Sequence, residues 1–196
     1  MHNLRSLRDF LKLLRAKNEL QVIDVEVDPY LEMAEIHRRV IARQGPALLF
    51  TKVKGSIFPV ATNLFGKQSR LELAFGARPR DFVRQLVALV EQSMPPSLST
   101  LWQARGLMGQ GLRIGLKQVK SGPILECSQE PCRLGGLPML TSWHTDGGPF
   151  VTLPLVYTED PGGQGHNLGM YRIQRYDGTT AGIHWQIHKG GGYHYF

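Results

Sequence analysis

Residues 165–192 read GHNLGMYRIQRYDGTTAGIHWQIHKGGG and gather an asparagine, a Tyr-Arg pair and three histidines ahead of three consecutive glycines. These residue types do recognisable chemistry. An Asn carbonyl oxygen and neutral imidazoles suit a hard divalent cation. A guanidinium offers a planar fork to a carboxylate, and glycine N–H groups left free in a turn can face an anion. Read as one strand, NLGMYRIQRY puts Asn167, Gly169 and Tyr171 on one face and Met170, Arg172 and Gln174 on the other. Asp177-Gly178 is a turn signal, so a hairpin should return AGIHWQIH alongside, with His184, Gln186 and His188 pointing the same way. Arg172, His184 and His188 are then expected within reach of one another, able to hold a phosphate, a metal or both. The residues alone leave blander readings open. An Asn before a strand is a common turn residue, and an Arg in a strand is commonly a surface group. His184 and His188 at i, i+4 suit a zinc pair only on a helix, and no Glu follows His184. Glycine triplets are commonly flexible loops.

The elements that must position these groups follow from periodicity. Ser6 can cap a helix over 6–18, whose Leu7, Phe10, Leu11 and Leu14 share a face, with Asn18 as its stop. QVIDVEV alternates into a strand with Ile23, Val25 and Val27 on one side. Asp28-Pro29 offers a cap and a first-turn proline for a second helix carried by Met33, Ile36, Val40 and Ile41 to Gly45. ALLFTKV and FPVATNLF read as strands turned at Lys54-Gly55. Ser69 with Glu72 makes a capping box for a short helix ended by Gly76. Phe82, Val83, Leu86, Leu89 and Val90 mark a further helix that Pro95-Pro96 stops. Beyond residue 97 glycine and proline become dense, and the short β-type runs PFVTLPLVYT, GMYRIQRY and TAGIHWQIH suggest a barrel or sandwich. The expected division is 1–97, a connector over 98–120, and 121–196.

Composition narrows the partners. The chain has 196 residues with 42% hydrophobic content, enough for a true core in one large or two small domains. It contains no apolar run of membrane-spanning length. The basic, amphipathic start lacks a signal-peptide core, which makes a cytoplasmic protein the expectation. Cys127 and Cys132 lack the paired spacing of a zinc site and read as reduced thiols. A net charge of +7 and a pI near 9.6 point to an anionic partner such as a phosphorylated cofactor, an acidic membrane surface or nucleic acid. Lys and Arg are scattered without interleaved aromatics, which argues against nucleic acid.

Several ordered stretches together resemble one family. NLGMYRIQ followed by HWQIHKGGG is similar to the UbiD family of non-oxidative (de)carboxylases that use prenylated FMN. LRDFLKLLRAKNEL, VDPYLEMAEIHRRV, GPALLF and NLFGKQSRLELAFG resemble its N-terminal region in order and spacing, and SWHTDGGPFVTLPLVYTEDP resembles the strand leading into its flavin site. The resemblance implies an α+β fold, an N-terminal α/β region followed by a partial split β-barrel of the flavin-binding type. It implies that Asn167 binds a divalent metal (manganese or magnesium, with a monovalent cation as a further candidate) that ties down the cofactor phosphate. Met170, Tyr171 and Arg172 fall on a flavin-contacting triplet, and His184, Trp185 and Gln186 on a second such run. His188 matches a metal ligand of some relatives. Lys189 and Gly190 match a basic residue and glycine near the phosphate, and Thr152 would lie on the substrate side of the isoalloxazine. The family often has Arg where His184 and Lys189 stand.

The implied activity is loss of carbon dioxide from an aromatic or α,β-unsaturated acid, with 3-polyprenyl-4-hydroxybenzoate of ubiquinone biosynthesis as one candidate. Arg172 is the expected catalytic residue of this chain, and the cofactor carries the hard step. The implied partners are the acid substrate, a flavin prenyltransferase as cofactor source and, at full length, further copies of the enzyme. Nucleic acid is not among them, and membrane contact is at most peripheral. The family's metal-binding glutamate, the glutamate partner of Arg172 and the proton-donating acid lie beyond the matched stretch. The chain is therefore expected to be an N-terminal part of a longer enzyme, inactive alone. The alternative is a truncated, non-catalytic flavin- or phosphate-binding or assembly module.

Overall fold

Ser6 begins the first helix as its position suggests. Its hydroxyl accepts the Asp9 N–H (3.2 Å) and donates to the Asp9 carboxylate (3.0 Å), a reciprocal cap for α1 (Leu7–Ala16). In this computed structural model residues 4–76, 78–92, 119–163 and 165–195 are described. Most of the expected connector, residues 98–118, and the Pro95-Pro96 stop lie outside them. The chain divides into two compact units, residues 1–10 with 67–128 and residues 11–66 with 129–196.

Within the second unit, β1 (Leu20–Val27) runs parallel to β2 (Ala47–Val53) through α2 (Glu32–Ala42), and β3 (Val60–Thr62) pairs antiparallel with β2. This is a βαβ crossover with one returning strand. Val27, Met33, Leu48, Phe50 and Val53 form its buried core, with Ile23, Ile36, Val40, Val60 and Leu140 packed around them. Two expectations need correction here. Val25 is 65% exposed, because the register shifts between Ile23 and Glu26, and an extra residue in β1 breaks the inward alternation. Pro29 also lies ahead of α2 rather than in its first turn. Asp28 instead closes a turn: its carboxylate accepts the Tyr30 N–H (2.8 Å), while its own N–H donates to Glu32 (2.8 Å). Tyr30 then bridges Thr141, and the Leu31 N–H reaches the Thr141 carbonyl at 2.9 Å, tying this region to the glycine-rich half.

In the first unit, α3 (Gln68–Phe75) starts one residue before Ser69, which therefore sits inside the helix and does not cap it. Gly76 ends α3 at a φ of 70°, which favours glycine. α4 (Arg78–Gln92) follows, and Arg80 approaches Glu72 at 3.8 Å.

The glycine-rich half carries short antiparallel strands. β4 (Phe150–Val151), β7 (Ile173–Arg175) and β8 (Ala181–Ile183) make one sheet in the order β4-β7-β8, while β5 (Leu155–Glu159) and β6 (His166–Met170) make a separate hairpin. Among the described residues these are two small sheets, not a closed barrel. The run NLGMYRIQRY is accordingly two strands. Backbone pairing passes from β5 to β4 and β8 across Tyr171 and Arg172. The run AGIHWQIH is a strand only to Ile183. The glycine triplet opens a short helix, α5 (Gly190–Tyr195), and Gly191 and Gly192 are buried. No helix among the described residues is long and apolar enough to cross a membrane.

Candidate functional site

The break between β6 and β7 builds the site. Asn167 and Gly169 lie on the half-buried face of β6, and Tyr171 continues that face into the interior at 4% exposure. The Tyr171 hydroxyl accepts the Gly191 N–H at 2.7 Å and the Asn167 side-chain N–H at 3.2 Å, so one phenol joins β6 to α5. Trp185 meets the Tyr171 ring edge-on at 5.0 Å and stacks with Tyr195 at 5.9 Å. The glycines permit this closeness. A Cβ on Gly190 would stand 2.6 Å from the Asn167 amide oxygen, and one on Gly191 would stand 2.6 Å from Trp185.

A cavity of about 530 Å³ opens here, lined by Thr152, Asn167, Gly169, Met170, Tyr171, Arg172, Lys189 and Gly190. That is the size range of sites for drug-sized ligands. A second, mainly apolar cavity of about 1140 Å³ lies between α2, β3 and residues 137–153, and Thr152 belongs to both walls. His37 is in the larger wall. Burial lowers its imidazole below the ordinary value, and its buried Nδ1 has no partner among the described residues.

Of the sequence-derived site residues, Thr152, Asn167, Met170, Tyr171, Arg172, Lys189 and Gly190 come together around one cavity. His184, Trp185, Gln186 and His188 do not line it. The His184 N–H binds the Arg172 carbonyl at 3.3 Å, and its exposed side chain is outside the wall because β8 stops at Ile183. Trp185 acts from behind, as packing. Gln186 and His188 flank the turn into α5, where the Lys189 N–H reaches the Gln186 carbonyl at 3.0 Å. Of the three residues expected together, Arg172 lines the cavity and His184 pairs with it through the backbone, while His184 and His188 both follow the end of β8 at Ile183 and are absent from the cavity wall.

Asp146 and Phe150 lie within the stretch SWHTDGGPFVTLPLVYTEDP, but nothing in their types or spacing singles them out as partners of Arg172. The Arg172 guanidinium lies 3.5 Å above the Phe150 ring centroid, and its Nη2 donates to Asp146 Oδ1 at 2.9 Å. Asp146 Oδ2 accepts the backbone N–H groups of Ser142 (3.1 Å) and Trp143 (3.2 Å). Burial pushes the Asp146 carboxyl up, but these hydrogen bonds and the Arg172 charge outweigh it and hold it below the usual carboxylate range.

Comparison with known proteins gives this geometry its context. Residues 11–90 match the profile of the 3-octaprenyl-4-hydroxybenzoate carboxy-lyase N-terminal domain, and residues 117–196 match the Rift-related domain of the same enzyme family. An uncharacterized protein of Chlamydia trachomatis is 52% identical over 197 residues, covering 100% of this chain and 33% of that protein. A 4-hydroxybenzoate decarboxylase component from Chlamydia pneumoniae, named as one subunit of that enzyme, is 47% identical over 190 residues, covering 97% of this chain and 32% of its own length. The chain thus spans about a third of the length of the curated relatives it matches. Among solved structures, the UbiD-class enzyme HmfF from Pelotomaculum thermopropionicum in complex with FMN superposes with a TM-score of 0.72 at 26% identity, covering 96% of this chain and 38% of that one. An evolved dimeric form of the same enzyme in complex with prFMN gives 0.71 at 27% identity, covering 93% and 39%. With both halves of the sequence matched and the fold shared with UbiD-class enzymes, the chain belongs to the UbiD family of carboxy-lyases.

Proposed function

We propose that this chain forms the flavin-binding part of a UbiD-type decarboxylase that removes carbon dioxide from an aromatic or α,β-unsaturated carboxylic acid with the help of prenylated FMN. The observation that carries the reading is the gathering of Asn167, Met170, Tyr171, Arg172, Lys189 and Gly190 around one cavity, in a fold whose solved neighbours hold FMN or prFMN. The cavity volume suits a flavin nucleotide, and Gly190 in its wall lets the chain lie close against the Asn167 amide. Lys189 supplies positive charge for the phosphate, Met170 and Tyr171 flank the ring system, and Trp185 braces Tyr171. When bound, the prenylated flavin supplies the covalent electron sink. The protein's own part is to bind and orient. Arg172 takes the substrate carboxylate by hydrogen bonds and charge, and Thr152 marks the side on which the acid lies, where the flavin cavity adjoins the larger apolar one.

A divalent cation fits these residues less well. No cluster of three His, Cys, Asp or Glu capable of holding a metal occurs among the described residues. His188 stands outside the cavity, so Asn167 would supply a single amide oxygen beside the phosphate. On this reading the metal's remaining ligands come from the phosphate and from protein outside this chain.

The substrate proposed is an aromatic acid, the class to which 4-hydroxybenzoate belongs, with the polyprenylated form as one member. The full-length enzyme is read as an oligomer supplied with cofactor by a flavin prenyltransferase. The test has two stages. FMN fluorescence is titrated with the chain, and carbon dioxide release from 4-hydroxybenzoate is then measured after the remaining two-thirds of the enzyme is supplied together with prenylated FMN. Quenching that is lost in Lys189→Ala, followed by release only from the completed enzyme, supports the proposal. Absence of quenching removes the flavin site, and turnover by the chain alone removes the division of labour.

A further inference from the structure

Asp146 is hydrogen-bonded to Arg172 of the cavity wall, and it is held more firmly than the arginine it contacts. Its side chain is 9% exposed against 44% for Arg172. One of its oxygens is fixed by the Ser142 and Trp143 N–H groups, which leaves the other aimed at Arg172 Nη2. The direction of this acceptor is therefore set by backbone, independent of what Arg172 does.

Phe150 supplies the second constraint. It lies in β4 directly opposite Gln174 of β7, two residues beyond Arg172, so pairing between those strands places its ring beneath the guanidinium. A planar cation resting on a ring face, with one corner bonded to a fixed carboxylate, cannot rotate without losing one contact or the other. Asp146 contributes the in-plane restraint and Phe150 the out-of-plane one. A guanidinium carries five N–H donors. Among the described residues the Asp146 bond is the one side-chain hydrogen bond that Arg172 makes, so donors remain for a ligand in the cavity that Arg172 lines.

We propose that Asp146 is a positioning residue that fixes the plane of the Arg172 guanidinium and so presents its remaining N–H edge to the substrate carboxylate. This rests on the reading of Arg172 as the carboxylate-binding group. Asp146 also balances the Arg172 charge before substrate arrives. Its loss therefore does two separable things: the exposed side chain gains rotational freedom, and the local positive charge rises. The first lowers the fraction of bound substrate in reactive alignment. The second strengthens attraction of an anion.

Asp146→Asn separates these effects from simple unfolding. Its amide oxygen can still accept the Ser142 and Trp143 N–H groups, while its NH2 group faces the Arg172 donors and releases them. In the 196-residue chain, nitrogen-15 NMR of the Arg172 guanidinium should show slow rotation about its Nε–Cζ bond, and Asp146→Asn should abolish it while leaving the thermal midpoint close to the parent. In the completed enzyme with 4-hydroxybenzoate, Asp146→Asn should lower kcat about tenfold or more with KM unchanged or smaller. Asp146→Glu should recover part of kcat, and adding Asp146→Asn to Arg172→Ala should cost nothing further. Unchanged guanidinium rotation in Asp146→Asn, additive losses in the double variant, or a raised KM at constant kcat would each overturn the proposal. If the completed parent enzyme releases no carbon dioxide, the decarboxylase reading fails, and the rotation measurement still decides whether Asp146 holds Arg172.

Discussion

Tyr171 shows how much one hydroxyl can organise. It takes hydrogen bonds from the buried Gly191 N–H and from the half-buried Asn167 amide, and Tyr171→Phe strands both donors. An unsatisfied buried donor costs about 1–3 kcal/mol, so urea denaturation should show a loss in that range, with weaker FMN quenching alongside. His37 gives a pH signature. Burial lowers its folded-state pKa below the unfolded value near 6.5, so its contribution is fully present above that value and is lost as the pH falls through the folded one. His37→Gln cannot titrate, and its thermal midpoint should fall less than the parent's between about pH 7 and pH 5. At this scale the ordered motif placed Asn167, Tyr171, Arg172 and Gly190 close in sequence, and the fold gathers them around one cavity, which is as much as residue type and spacing could foretell. Asp146 was not legible, because it meets Arg172 across 26 positions of chain and its local setting, TDGG, reads as an ordinary turn.

Among the elements, α5 carries the sharpest contrast between two glycines. A Cβ on Gly192 would stand 2.5 Å from the Gln186 carbonyl oxygen, which is backbone and cannot step aside. Gly192→Ala should therefore destabilise the fold by about 1–3 kcal/mol in chemical denaturation. Gly190→Ala meets the Asn167 amide, a side chain that can turn away. It should leave the fold nearly intact and weaken FMN binding about tenfold, equivalent to about 1.4 kcal/mol. The N-terminal elements were readable because helix and strand periods are distinct and their breakers are strong: Ser6, Gly45, Gly55 and Gly76 act where their types predict. What alternation could not reveal was a change of partner. Asn167, Gly169 and Tyr171 keep one facing while the chain leaves β5 for β4 and β8, so two strands look like one. The β1 bulge at Val25 is hidden for a related reason, since an inserted residue is visible only against the opposing strand.

At the scale of the molecule, a net charge of +7 accords with an anionic cofactor and with Lys189 at the cavity edge. The hairpin of β5 and β6 turns Leu155, Tyr157, Leu168 and Met170 outward as the cross-strand pairs Leu155–Met170 and Tyr157–Leu168, each residue at least half exposed. Contiguous apolar surface of this kind promotes association. In sedimentation velocity, the isolated chain should gain mass with concentration, and Leu155→Gln with Leu168→Gln should suppress that gain without altering net charge.

The handover between β6 and β7 also has a mechanical meaning. Tyr171 is anchored to α5, whereas Arg172 is seated on Phe150 of the other sheet, and a single peptide bond joins them. Any sliding of one sheet past the other must be absorbed at that joint. The spacing between the Tyr171 phenol and the Arg172 guanidinium is thus geared to shear: relative motion of the sheets becomes a rotation of the cation over the Phe150 ring.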